Sequence, residues 1–171
     1  GKPTACMGVA SGDVNRDGRL DLFVTNFERE ANCLYLQRTA GFFEDAIQGS
    51  GLFQAGIPYV GWGTQFLDAD NDCDLDITVA NGHVAEFGEP GMEYLMPLQF
   101  FRNSGTSNFD LLKPSEAGDL FTVKRLGRSL AVLDWNLDGA PDFLVSSIGS
   151  NAVLATNQSA GQNNWLRVIL H

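Results

Sequence analysis

One nine-residue pattern occurs three times in this chain and restricts its fold more than any other feature. It reads D-x-[DN]-x-D-[GC]-x-x-D, at Asp13–Asp21 (DVNRDGRLD), Asp68–Asp76 (DADNDCDLD) and Asp134–Asp142 (DWNLDGAPD). Of the 21 acidic residues, 11 lie in these stretches, so each stretch needs either full solvation or a cation. Three copies at 55- and 66-residue spacing also imply one supersecondary unit used three times.

The flanks repeat with the pattern. An apolar, glycine-containing run precedes each copy (MGVASG, GWGTQFL, GRSLAVL), and a second run follows it (LDLFVTN, LDITVAN, PDFLVSS). A third run comes next (CLYLQR, LQFFRN, NAVLATN), then a fourth (GFFEDAI, NFDLL, WLRVIL). The runs are short, rich in β-branched and aromatic residues, and bounded by Gly, Asn and Ser, which reads as strand and turn four times over. No apolar stripe at helical spacing runs for a useful length. The expected class is all-β.

In LDLFVT, Leu20, Leu22 and Val24 are expected on one strand face and Phe23 on the other, so the strand has apolar faces on both sides. Such a strand belongs to a sheet stacked between other sheets. Four-stranded antiparallel units at this spacing match β-propeller blades. About three blades are expected, over residues 1–56, 57–124 and 125–164, with 165–171 starting a further segment. The stretch His83–Leu98, containing Pro90 and Pro97, reads as a loop insertion in the second unit.

Asp and Asn at positions 1, 3 and 5 of a turn can converge hard oxygen donors on one point. Position 7 can add a backbone carbonyl and the Asp at position 9 can close the shell, giving six or seven oxygens at about 2.3–2.6 Å, the coordination of calcium. Zinc would require His or Cys, and magnesium favours a smaller octahedral site that keeps several waters. At position 6, Gly18 and Gly139 allow a left-handed turn without steric cost, and Cys73 departs from this. An EF-hand also begins D-x-[DN]-x-D-G but needs an acidic residue at position 12 and flanking helices; here position 12 is Val24, Val79 or Val145. Two alternatives compete with calcium: metal-free Asp/Asn turns, and an acid/base carboxylate pair of a glycosidase. Identical loops in every unit speak for a shared structural task.

At these residues the chain resembles the FG-GAP, or VCBS-type, repeat family. MGVASGDVNRDGRLDLFVTNF, GWGTQFLDADNDCDLDITVANGHV and GRSLAVLDWNLDGAPDFLVSS carry the repeat pattern, although no unit has both literal FG and GAP tripeptides. Within the family it is similar to the cartilage acidic protein group, since NNWLRVIL resembles the start of an ASPIC/UnbV segment. The resemblance implies a propeller with a calcium-bearing hairpin between the first two strands of each blade, and up to three Ca2+ ions. It implies side-chain ligands Asp13, Asn15, Asp17 and Asp21; Asp68, Asp70, Asp72 and Asp76; and Asp134, Asn136, Asp138 and Asp142. Backbone carbonyls would come from Arg19, Asp74 and Ala140. Relatives of this kind are mostly secreted or cell-surface binding proteins. Closed propellers usually have about four to eight blades, so three units need further blades or another chain to cover their edges.

Composition bounds the rest. With 171 residues, 44% apolar and 19% charged, the chain can bury a core of its own. A net charge of −10 disfavours nucleic acid and anionic membrane surfaces, and no run approaches the ~20 apolar residues of a membrane span. The opening Gly1-Lys2-Pro3 lacks a basic-then-apolar leader, as in a mature or excised piece. Cys6, Cys33 and Cys73 allow one disulfide plus a thiol, or three buried thiols. Trp62, Trp135 and Trp165 are expected in inter-blade packing, and His83 as a hydrogen-bonding loop residue. No nucleophile elbow or phosphate-binding glycine motif occurs, and no catalytic residue is assigned.

The function expected is a calcium-stabilised module for extracellular or periplasmic binding of a protein or glycan, with the His83–Leu98 insertion as its contact surface. The competing expectation is a non-catalytic subunit or domain supporting an oxidoreductase or polysaccharide-acting enzyme complex.

Overall fold

The computed structural model describes residues 3–88, 93–159 and 163–166. Among them the chain is nearly all β. The first sheet joins β1 (Cys6–Gly12), β2 (Asp21–Asn26), β3 (Cys33–Thr39) and β4 (Phe42–Asp45) in chain order. The second joins β5 (Gly61–Leu67), β6 (Asp76–Asn81), β7 (Gln99–Asn103) and β8 (Phe109–Leu111) in the same manner. The third holds β9 (Gly127–Leu133), β10 (Asp142–Ser147) and β11 (Ser150–Ala155). Every pairing is antiparallel. Among the described residues the connections contain only single helical turns, at Phe53–Gly56, Pro114–Ala117 and Asp119–Thr122.

The expected fourth strand of the third unit, WLRVIL, is not formed where the structure describes it. Trp165 and Leu166 lie outside any strand, and residues 167–171, with most of the ASPIC/UnbV-like segment, fall outside the described residues. Pro90, inside the expected insertion, falls outside them as well.

Two apolar layers separate the three sheets. Ala10, Phe23, Leu34, Ile77, Val79 and Phe101 pack between the first and second sheets. Leu67, Ala80, Leu98, Leu130, Phe143 and Val145 pack between the second and third. The central strand β6 is buried at all six positions, with Ile77 and Val79 in the first layer and Ala80 in the second. That accounts for its apolar character on both faces. Leu20 is a correction: it lies in the hairpin ahead of β2 and is 60% exposed. Pairing of β1 with β2 starts only at Gly12 and Asp21, so at Leu20 the chain is still turning.

The first strands of neighbouring sheets approach backbone to backbone. A Cβ on Gly8 would lie 2.0 Å from the Trp62 carbonyl oxygen, and one on Gly63 2.6 Å from the Leu130 nitrogen. Both glycines stand five positions before the first Asp of their hairpin; the same position in the third sheet is Ser129, which is exposed. Trp62 does pack between sheets: its indole N–H donates to the Gly82 carbonyl at 2.8 Å and Arg128 lies 4.3 Å over its ring. The other two tryptophans differ from expectation. Trp135 sits in the third hairpin, 51% exposed, and Trp165 covers Gly139 from outside any strand. All three cysteines are free, Cys33 buried and Cys6 and Cys73 exposed, so neither expected cysteine arrangement is formed. No described helix is long and apolar enough to cross a membrane.

Candidate metal centres

Each acidic pattern forms the hairpin between the first two strands of its sheet, β1–β2, β5–β6 and β9–β10. The backbone turns left-handed twice in every copy. At position 4, Arg16, Asn71 and Leu137 have φ near +60° (59°, 58° and 60°), and at position 6 Gly18, Cys73 and Gly139 have φ of 82°, 73° and 84°. The position-6 turn was legible from glycine; the position-4 turn was not, because Arg, Asn and Leu share no chemistry that marks it.

Carboxylates hold this shape. The position-1 Asp accepts the N–H groups of positions 5 and 6: Asp13 from Asp17 and Gly18, Asp68 from Asp72 and Cys73, Asp134 from Asp138 and Gly139. The position-5 Asp accepts the N–H of position 7, from Arg19, Asp74 or Ala140. The position-9 Asp is buried in all three copies, at 0%, 3% and 0% exposure for Asp21, Asp76 and Asp142. One of its oxygens takes the position-2 N–H (Val14, Ala69 or Trp135), the other an N–H within, at the end of or just beyond the third strand (Gln37, Asn103 or Asn157).

Asn103 and Asn157 also link neighbouring units, and sequence reasoning missed them. Their side-chain amides donate to the position-2 carbonyl of the preceding hairpin, Asn103 to Val14 at 3.2 Å and Asn157 to Ala69 at 2.6 Å. The signal available was that the third runs LQFFRN and NAVLATN both end in Asn. Position 4 links units too: Arg16 pairs with Asp74, and the Asn71 amide donates to the Gly139 carbonyl at 3.1 Å.

The second hairpin offers the best fit to a cation. Asp68, Asp70 and Asp72 bring carboxylate oxygens within 4.8 Å of one another. Burial raises the Asp70 pKa, and the charge of Asp72 adds to the shift. Asp76 is pushed up to about 7, chiefly by burial; N–H donation from Asn103 and Ala69 opposes the shift, and the charges of Asp70 and Asp72 reinforce it. A divalent ion among these oxygens would favour every ionised form. Each hydrogen-bonded oxygen still has a lone pair to offer it.

In the first and third hairpins position 3 is Asn, and its amide donates to the position-5 carboxylate, Asn15 to Asp17 at 3.3 Å and Asn136 to Asp138 at 2.8 Å. Arg19 adds an ion pair to Asp17 at 3.1 Å. The first hairpin therefore neutralises part of its own charge through Arg19, and in both a cation would replace the Asn–Asp bond. The donor set of all three is hard oxygen, which suits calcium chemistry.

Cys73 holds a left-handed backbone that disfavours any residue with a Cβ by about 1–2 kcal/mol. Cys73→Gly should therefore raise the unfolding free energy by about 1 kcal/mol, read as an increase of about 2–4 °C in melting temperature. An unchanged or lower value would show that the Cys73 side chain contributes more than its strain costs.

His83 lies far from the hairpins, at the opposite end of the sheets. It is 1% exposed, its Nδ1 accepts the Ala85 N–H at 3.2 Å, and Phe27 and Phe87 pack edge-on to it. It is a hydrogen-bonding loop residue, as expected.

Comparison with known families finds an FG-GAP-like repeat at residues 13–79, from the first hairpin into β6. The match does not extend to the ASPIC/UnbV-like ending. No curated protein matches the chain.

Proposed function

We propose that this chain is a calcium-stabilised β-propeller module that binds an extracellular or periplasmic protein or glycan. The FG-GAP-like repeat supports an interaction module, and such repeats are generally non-catalytic. The observation that carries the calcium part is the clustering of Asp68, Asp70 and Asp72, with buried Asp76 beside it. Asp68, Asp70, Asp72 and Asp76 with the Asp74 carbonyl would hold the ion; Asp13, Asn15, Asp17, Asp21 and the Arg19 carbonyl would do so in the first hairpin. Asp134, Asn136, Asp138, Asp142 and the Ala140 carbonyl would do so in the third. The ion supplies charge neutralisation and rigid cross-linking of the turn, and no reaction step is assigned to it.

The two end sheets of the arc keep apolar residues exposed, with Val9 at 59% on the first sheet and Leu133 and Leu144 both at 41% on the third. We assign these faces to further blades, of this or another chain. Calorimetric titration of the metal-stripped chain tests the calcium assignment. Up to three ions should bind, with the tightest site lost in Asp70→Ala. Absence of any calcium heat, or equal binding of magnesium, would overturn it.

A further inference from the structure

A groove of about 480 Å3 lies at the end of the third sheet away from its acidic hairpin. Val123–Leu126, leading into β9, forms one wall, the turn Ile148–Gly149 with the start of β11 forms the other, and Leu95 also lines the groove. Arg125 lines the groove yet is only 8% exposed. Its backbone N–H and carbonyl both pair with Met96 at 2.9 Å, which fixes where the side chain starts. One guanidinium nitrogen donates to the Leu120 carbonyl at 3.3 Å, while Nε has no partner. Among the described residues no carboxylate forms an ion pair with this guanidinium. Burial lowers its pKa, with no opposing charge to offset the shift.

A buried cation without an anion is unfavourable, and the planar donors of arginine match a carboxylate in two-point geometry. Lys124 also lines the groove, but its ammonium is neutralised by Glu93 at 2.6 Å, so among the described residues the uncompensated charge there is that of Arg125. In the lining around Arg125, Leu95, Val123 and Ile148 are 47%, 52% and 55% exposed. On a chain of net charge −10 a guanidinium without a counter-ion favours an acidic ligand at this place. The apolar rim distinguishes that ligand from a bare anion, which would gain nothing from it.

We propose that the groove binds a peptide segment of a protein partner that carries a carboxylate next to a large apolar side chain. Arg125 takes the carboxylate, and Leu95, Val123 and Ile148 take the apolar neighbour. The proposal rests on the interaction-module reading and gives that module its partner chemistry. It also moves the contact surface from the whole His83–Leu98 insertion to its Leu95 end.

The test is a titration of the calcium-loaded, 15N-labelled full chain with acetyl-Leu-Glu-amide and, separately, acetyl-Leu-Gln-amide. Shifts are expected at the amides of Leu126, Ile148 and Gly149 with the acidic peptide, at least tenfold weaker affinity for the glutamine peptide, and loss of binding in Arg125→Met. Should Arg125→Met fail to fold, the exposed pair Val123→Ser and Ile148→Ser serves instead, with at least threefold weakening expected. Equal affinity for the two peptides, or no shift in the groove, would overturn the proposal. Calcium titration without peptide reports independently on the calcium part of that reading, so the two can fail separately.

Discussion

In chelator the melting temperature should fall by about 20 °C, and calcium should restore it where equal magnesium does not. The size follows from mass action. At calcium 100-fold above its dissociation constant each site adds about 2.7 kcal/mol to the folded state, so three sites add roughly 8 kcal/mol. Domains of this length typically have about 5–15 kcal/mol in total and shift by about 2–4 °C per kcal/mol. Removing the ions also leaves the clustered carboxylates of Asp68, Asp70 and Asp72 facing one another within 4.8 Å. The loss should depend on pH. In the chelated chain Asp76 holds its proton up to about 7, against an ordinary value of 3.8. A carboxyl whose pKa is raised by folding stabilises the fold when protonated, and that contribution is lost as pH rises through the window from about 4 to 7. Chelated protein should thus melt lower at pH 8 than at pH 5.5, and added calcium should close the gap. A melting curve that ignores chelator at pH 8 would remove the ions from the account of stability.

The hairpins were legible because Asp, Gly and their spacing are written in nine consecutive residues, although the left-handed turn at position 4 leaves no such mark. The strands were legible for the same reason: LDITVAN alternates around a buried centre whatever surrounds it. What could not be read depends on residues far apart in the chain. Arg16 meets Asp74, 58 positions away, and Asn157 reaches Ala69, 88 positions away. Neither contact exists until the sheets are stacked. Leu20 misled because an apolar residue beside a strand pattern reads as part of it, while the first cross-strand pair forms at Asp21. The role of position 9 was half legible. Its acidity pointed to a ligand, but burial and two backbone donors make Asp21, Asp76 and Asp142 clamps between the start of the hairpin and the third run with or without an ion.

Gly63→Val should destabilise the chain by at least about 3 kcal/mol, a fall of about 6–12 °C in melting temperature. The first strands β5 and β9 are close enough that a Cβ at Gly63 meets the Leu130 nitrogen at 2.6 Å and the Ser129 Cα at 2.7 Å. These are backbone atoms, so no rotamer change relieves the clash and the second and third sheets must separate along their inner edge. Separation would open the layer that holds Leu67, Leu130 and Phe143, and lost burial adds to the strain. Ser129→Val is the matched control, at the equivalent position of the third sheet. Its side chain is exposed and gives up only a 2.7 Å contact with the Ser146 hydroxyl, so a change below about 1 kcal/mol is expected. If both substitutions behaved alike, the glycine would be a matter of strand propensity and not of sheet approach. If only Gly63→Val fails, the same logic reaches the outer face of the third sheet. With Ser129 in place of glycine, whatever covers that face must stand further off than the second sheet stands from the first.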